Sequence, residues 1–170
     1  MSVLEHKKEA PKSVRCMVIT VSDTRTEETD KSGKLMKQLL EEYGHEIVKY
    51  EIVRDDEESI KAALIRGFDN HQVEAIVTNG GTGIAKRDVT IETVQKIITK
   101  EIVGFGELFR MLSYTEDIGS AALLSRAIAG VAMDKPIFST PGSTGAVRLA
   151  MNKLILPELA HVIREIRKDK

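Results

Sequence analysis

Apolar positions along the chain fall into short runs and helical stripes that alternate in a regular order. Arg15 to Val21 is a continuous β-rich run, the pattern of a strand buried on both faces. Over Gly33 to Tyr43, Leu35, Met36, Leu39, Leu40 and Tyr43 share one helical face, and Gly44 is a good stop. His45 to Val53 alternates as a second strand. Ile60, Ala63, Leu64, Gly67 and Phe68 stripe a second helix over Glu57 to Phe68. Glu74 to Val77 reads as a third strand. Ile91, Val94 and Ile98 then mark a helix that Thr90 is expected to cap.

This β-α-β-α-β-α order predicts an α/β fold: a mostly parallel central sheet between two helical layers. The pattern loosens from 104 to 132. Gly104 to Leu112 reads as a short helix, Ile118 to Arg126 as a segment of small residues, and Ala127 to Ala132 as a short strand. Lys135 to Ser139 is the next central strand. The terminal helical region carries Ile155, Leu159, Val162, Ile163 and Ile166 on one face, with Pro157 marking a kink or a new first turn. Residues 1–13 lack apolar periodicity and are expected to form a flexible arm before one domain over 14–170.

The chemistry is expected where the strands end, because open parallel sheets bind ligands beyond their carboxyl edge. Four such ends stand out: Ser22-Asp23, Asp55-Asp56, the loop Thr78-Asn79-Gly80-Gly81-Thr82-Gly83, and Thr140-Pro141-Gly142-Ser143. Glycines let a backbone approach a ligand closely, and N–H groups in such turns favour phosphate. Arg87-Asp88 follows the first glycine loop, and an acid there could hold a cation that the phosphate also needs. Two Gly/Ser/Thr turns beside several carboxylates match metal-assisted phosphate chemistry. Each piece also has a plainer reading. Asp23, Asp55 and Asp56 could be caps or solvated turn acids, Asp88 could cap the following helix, and Ser143 could cap the last one. Arg25 and Arg87 lie in the same loops.

Composition narrows the field. A chain of 170 residues suffices for one domain with a real core. The net charge of -1 provides no global field for nucleic acid, and 4% aromatics with no Trp argue against a base-stacking platform. No apolar stretch approaches a membrane span, Met1 to Lys12 has no signal-peptide core, and a single Cys16 makes no disulfide framework. These features predict a cytoplasmic protein. The four histidines are scattered, without metal-ligand spacing, and are expected to be surface or structural groups. Glu28 stands where a Walker loop would need its first glycine, and the residues after Gly83 break the dinucleotide fingerprint. Cys16, buried by pattern, is a poor nucleophile.

Taken in order, Ser22-Asp23-Thr24-Arg25, Thr78 to Gly83, Arg87-Asp88-Val89-Thr90, Gly104 to Ser113, Leu124-Ser125-Arg126 and Pro141-Gly142-Ser143 resemble the MoaB/MogA family of molybdenum cofactor biosynthesis proteins, its MoaB branch most. The resemblance spans residues 15–160 and implies the molybdopterin-binding fold, a three-layer α/β/α sandwich. It implies molybdopterin and nucleotide as ligands. Active members transfer AMP from Mg-ATP to the terminal phosphate of molybdopterin and release pyrophosphate. The family's two catalytic acids match Asp88 and Asp55, with Asp56 as the rival of Asp55, and these would hold the magnesium. Ser22, Asp23, Thr78, Gly80 to Gly83, Arg87, Pro141, Gly142 and Ser143 would form the substrate and phosphate pocket. The family forms trimers and the MoaB branch hexamers. A homotrimer or homohexamer is therefore expected, and Gly119-Ser120-Ala121-Ala122 and Phe105, Leu108, Phe109 and Met111 are the candidate contacts. The usual Pro after Thr90 is Ile91 here, a change in helix-start preference rather than in chemistry. Two other readings use the same chain: a molybdopterin carrier without catalysis, and an oligomeric interaction domain like that of gephyrin.

Overall fold

The computed structural model describes residues 2–170. Helix α1 (Val3–Glu9) precedes strand β1 (Arg15–Val21). Helices and strands then alternate: α2 (Lys31–Glu42), β2 (Glu46–Val53), α3 (Glu57–Asp69), β3 (Ala75–Asn79) and α4 (Thr90–Ile97). Then come the short β4 (Lys100–Glu101), α5 (Val103–Glu116), a 3-10 turn (Gly119–Leu124), β5 (Ile128–Ala132) and β6 (Lys135–Thr140). The chain closes with α6 (Thr144–Ala150), a π turn (Met151–Ile155) and α7 (Leu156–Arg167). Pro157, at the start of α7, has no N–H for the Lys153 carbonyl, and the turn just before it is the π-wound one.

The six strands form one sheet in the order β2-β1-β3-β6-β5-β4. The first four of these run parallel, while β5 is antiparallel to both β6 and β4. Period-two alternation in β1 explains its unbroken apolar run. Cys16 and Val18 face one core with Met36, Leu40, Phe105, Phe109, Phe138, Met151 and Leu159. Met17, Ile19 and Val21 face the other, with Ile60, Leu64, Ile76, Val94 and Ile137. The first core lies under α2, α5, α6 and α7, the second under α3 and α4, which makes three layers. Chain order reverses at β1 and β3, whose loops open at the carboxyl edge of the sheet.

Three expectations change. Residues 3–9 are helical rather than irregular: Ser2 and Glu5 form a reciprocal capping box, and α1 docks on α7 through Lys7–Glu158 (2.6 Å). A helix whose partners are ion pairs leaves no apolar stripe to read. Thr90 does not cap α4. Val89 occupies that position, and the Thr90 N–H instead donates to the Gly81 carbonyl (3.0 Å), tying the helix to the glycine loop. Of the four apolar residues assigned to subunit contacts, Phe105 and Phe109 are buried in the chain's own core. Leu108 and Met111 are exposed.

Candidate functional site

A cleft of about 510 Å³ lies at the carboxyl edge of β1, β2, β3 and β6. Its wall joins Ser22, Asp23, Asp55, Gly80, Gly81, Thr82, Gly83, Arg87, Asp88, Pro141 and Gly142, with Thr24, Arg25, Leu124, Ser125 and Arg126. The four strand ends therefore do converge. Thr78 and Ser143 lie outside this wall. Thr78 is buried within β3 and donates to Ser139 (2.8 Å), since the strand runs one residue past it. Ser143 caps α6, accepting from the Ala146 N–H (3.2 Å). Asp56 caps α3, accepting from the Ser59 N–H (2.7 Å), so of the two neighbouring acids it is Asp55 that faces the cleft.

The glycine loop needs its glycines. Gly80 and Gly81 have φ of 97° and 68°, the left-handed region. A Cβ on Gly80 would stand 2.2 Å from the Val21 carbonyl oxygen. A Cβ on Gly81 would stand 2.2 Å from Thr90 Oγ1 and 3.0 Å from Asp55 Oδ1. Backbone and side-chain oxygens thus crowd the point where the loop turns. Asp88 closes the rest of the loop, accepting from the Ala85 N–H while its own N–H donates to the Ala85 carbonyl, both at 3.0 Å.

Arginines fix the loops to one another. Arg25 donates to the Gly142 carbonyl (2.9 Å) and to Asn79 Oδ1 (3.3 Å), and Asn79 donates to Thr20 (2.9 Å). Ser32 reinforces the join with a 2.6 Å bond to the same Gly142 carbonyl. Arg87 pairs with Asp23 across the cleft mouth. Arg126 is the residue that sequence reasoning left out of the site. Its guanidinium donates to the carbonyls of Thr82 (3.1 Å) and Gly83 (2.6 Å) and pairs with Glu92. That bond holds the Glu92 carboxyl below its ordinary range. An isolated arginine whose partners are more than thirty residues away has no local signature. Only the recurrence of Leu124-Ser125-Arg126 in the resembling family pointed to it.

The carboxylates divide by partner. Asp23 is satisfied by Arg87 and by the Asp55 N–H (2.9 Å). Asp55 is not: its Oδ1 is buried and receives no hydrogen bond, as is also true of Thr90 Oγ1 against the same glycine. Desolvation raises the Asp55 carboxyl above its usual value, and the charges of Asp88 and Asp56 add to this. An orphaned carboxylate oxygen beside a second acid on the cleft wall is an oxygen donor set for a hard cation. Magnesium takes one or two carboxylates and completes its shell with substrate phosphates and water, so Asp55 and Asp88 fit it. Cys16 stays outside this chemistry, its thiol pushed up to about 12 by burial.

Residues 17–161 match the family described as "Probable molybdopterin binding domain", which is associated with molybdenum cofactor biosynthesis. The chain belongs to that family. It is 66% identical over 170 residues to molybdenum cofactor biosynthesis protein B of Bacillus subtilis (strain 168), covering all of both chains. A crystal structure of a molybdenum cofactor biosynthesis protein B superposes with a TM-score of 0.92 at 63% identity, covering 94% of this chain and 99% of that one. The tungsten cofactor synthesizing protein MoaB from Pyrococcus furiosus superposes at 0.83 with 40% identity, covering 93% and 99%. The molybdopterin-binding fold expected from the sequence is therefore the fold observed, and a role in molybdenum cofactor biosynthesis follows from the family. Among the described residues no helix is long and apolar enough to cross a membrane.

Proposed function

We propose that this protein binds molybdopterin and adenylylates it with Mg-ATP in the cytoplasm. The observation that carries the reading is Asp55: a carboxylate with a buried, unpartnered oxygen, raised by desolvation and then by the nearby charge of Asp88, on the wall of a cleft whose other side is glycine backbone. In water such a pair repels. A divalent cation held by both carboxylates would offset that repulsion.

The reaction joins a terminal phosphate oxygen of molybdopterin to the α-phosphorus of ATP and breaks the α–β bond, releasing pyrophosphate. The N–H groups of Gly81, Thr82 and Gly83 and the Thr82 hydroxyl cradle phosphate oxygens, while Gly80, whose N–H donates to the Thr140 carbonyl (3.0 Å), shapes the turn. Ser22 and Gly142 border the pocket, and Ser143 acts from behind as the cap of α6. Asp55 and Asp88 would hold the cation, which would supply positive charge to offset that on the leaving pyrophosphate. Arg87, highly exposed, is free to exchange Asp23 for a phosphate. Most of the rate then comes from positioning and charge neutralisation.

The test is turnover of molybdopterin with Mg-ATP, read as adenylylated pterin and pyrophosphate. Asp88→Asn is expected to keep the fold and pterin binding while losing about a hundredfold or more in rate. Full activity in that variant removes Asp88 from the chemistry. Pterin binding without any product in the unaltered protein makes it a carrier instead.

The protein acts as a homotrimer or homohexamer in this reading. Support comes from α5 and the turn after it, where Val103, Leu108, Met111, Tyr114, Leu123 and Leu124 are all exposed. Sedimentation as a monomer at micromolar concentration would count against it.

A further inference from the structure

Away from the cleft, the docking of α1 on α7 gathers two of the scattered histidines. His6 Nδ1 lies 3.0 Å from Glu165 Oε1, and His161 Nε2 lies 3.8 Å from the same oxygen. One donor atom each from His6, His161 and Glu165 fall within 4.8 Å of one another. His161 and Glu165 are one helical turn apart, and His6 comes from the other end of the sequence. A metal with bonds of about 2.0–2.2 Å places its ligand atoms roughly 3.3 Å apart, so the observed spacings bracket a coordination shell.

The surroundings of His161 supply an independent sign. Its second nitrogen, Nδ1, is 2.9 Å from Glu158 Oε2, which leaves Nε2 directed at Glu165. A carboxylate on the outer nitrogen of an imidazole is the usual support of a metal-bound histidine, because it fixes the ring and its tautomer. Glu158 is itself held by Lys7 at 2.6 Å. Glu158, His161 and Glu165 also line an open cavity of about 780 Å³, which gives an ion a way in and a water a coordination position.

We propose that His6, His161 and Glu165 form a site for a transition-metal ion of the zinc class, which clips α1 to α7. Two imidazoles and one carboxylate are the donor types such an ion selects. Two cations compete for Glu165: Arg164 Nη1 at 2.8 Å from Oε1 and Lys168 Nζ at 3.2 Å from Oε2. Arg164 also holds Glu9 at 2.7 Å, and Lys168 is more than half exposed. The ion therefore displaces one arginine contact and leaves both cations other partners or water.

Titration of the full-length, tag-free chain with Co2+ alone tests this. The expected result is one ion per chain, with visible ligand-field bands that Zn2+ abolishes. His6→Ala and His161→Ala should each weaken binding at least about tenfold, and Glu158→Gln about tenfold through the lost support. Asp88→Asn should leave it unchanged, which separates this site from the acids of the cleft. Zn2+ should raise Tm near pH 8 and lose that effect near pH 6, because ligating imidazoles must be deprotonated. Far-UV circular dichroism checks that each variant is folded. Absence of Co2+ bands up to about 100 μM, or equal affinity in folded His6→Ala, overturns the proposal. So does a cluster that strengthens on acidification with no response to metal, since that is an ion-pair knot.

Discussion

The carboxylates that join α1 to α7 and the Asp55 carboxylate of the cleft have opposite surroundings. Glu9, Glu158 and Glu165 each meet a cation at hydrogen-bond distance: Arg164 at 2.7 Å, Lys7 at 2.6 Å and Lys168 at 3.2 Å. Lys168 first, with Arg164 and His6 adding, holds the Glu165 carboxyl below its ordinary value despite some desolvation. In the cleft the arginines are present but spend their donors elsewhere. Arg25 and Arg126 bind carbonyls, Arg87 takes Asp23, and Asp55 is left with a bare oxygen. Acids matched with cations hold helices together at modest gain, whereas acids left unmatched beside glycine backbone cost stability until a ligand arrives.

Three substitutions sharpen or break that contrast. The largest stability effect is expected at Gly80, where the cleft demands a conformation the helices never do. Gly80→Ala adds a Cβ 2.2 Å from the Val21 carbonyl at a φ of 97°. A loss of about 2–5 kcal/mol should appear in urea unfolding. A near-neutral result would mean the loop relaxes freely and is not a rigid phosphate cradle.

Next comes Arg126→Met, which keeps the aliphatic stem and removes the donors to Thr82, Gly83 and Glu92. A cost of about 2 kcal/mol is expected, because the freed carbonyls are partly buried. Amide exchange over 82–88 should quicken while the sheet stays protected. Unchanged exchange would show that Asp88 alone closes the loop.

The smallest effect has the opposite sign. Asp55→Asn should raise Tm at pH 7 by no more than about 3 °C, by removing an ionised group that is desolvated and close to Asp88. Because the folded carboxyl titrates above its ordinary 3.8, ionised Asp55 costs stability in full above that raised value and nothing below 3.8. The gain should therefore fade as the pH falls through that window. A loss of stability at pH 7 would mean that Asp55 has a structural partner and is not held ready for a ligand.

Much of this was legible in the chain. The unbroken run in β1 announced a strand buried on both faces, and the glycine loop after β3 announced the carboxyl-edge cleft. Strand ends were readable because a parallel sheet always delivers them to one edge. Thr90 misled, since a β-branched hydroxyl before an apolar stripe has the sequence of a cap whether or not its oxygen turns toward its own helix. Phe105 and Phe109 misled in the same way, since periodicity shows which face is apolar and not what will cover it.

The sequence by itself determined the order of elements from β1 to α4, though not α1 or β4, together with the glycine turns and the family, because these rest on short-range preferences and on motifs read in order. Only the tertiary structure decided that Asp55 rather than Asp56 faces the cleft, that Arg126 braces the glycine loop, and that His6 meets His161. Asp56 is drawn off by a local cap on Ser59, but the cleft that Asp55 faces and the other two contacts depend on pairs dozens to more than a hundred residues apart. Their distance in space is fixed by the packing of the whole core, and no local pattern encodes it.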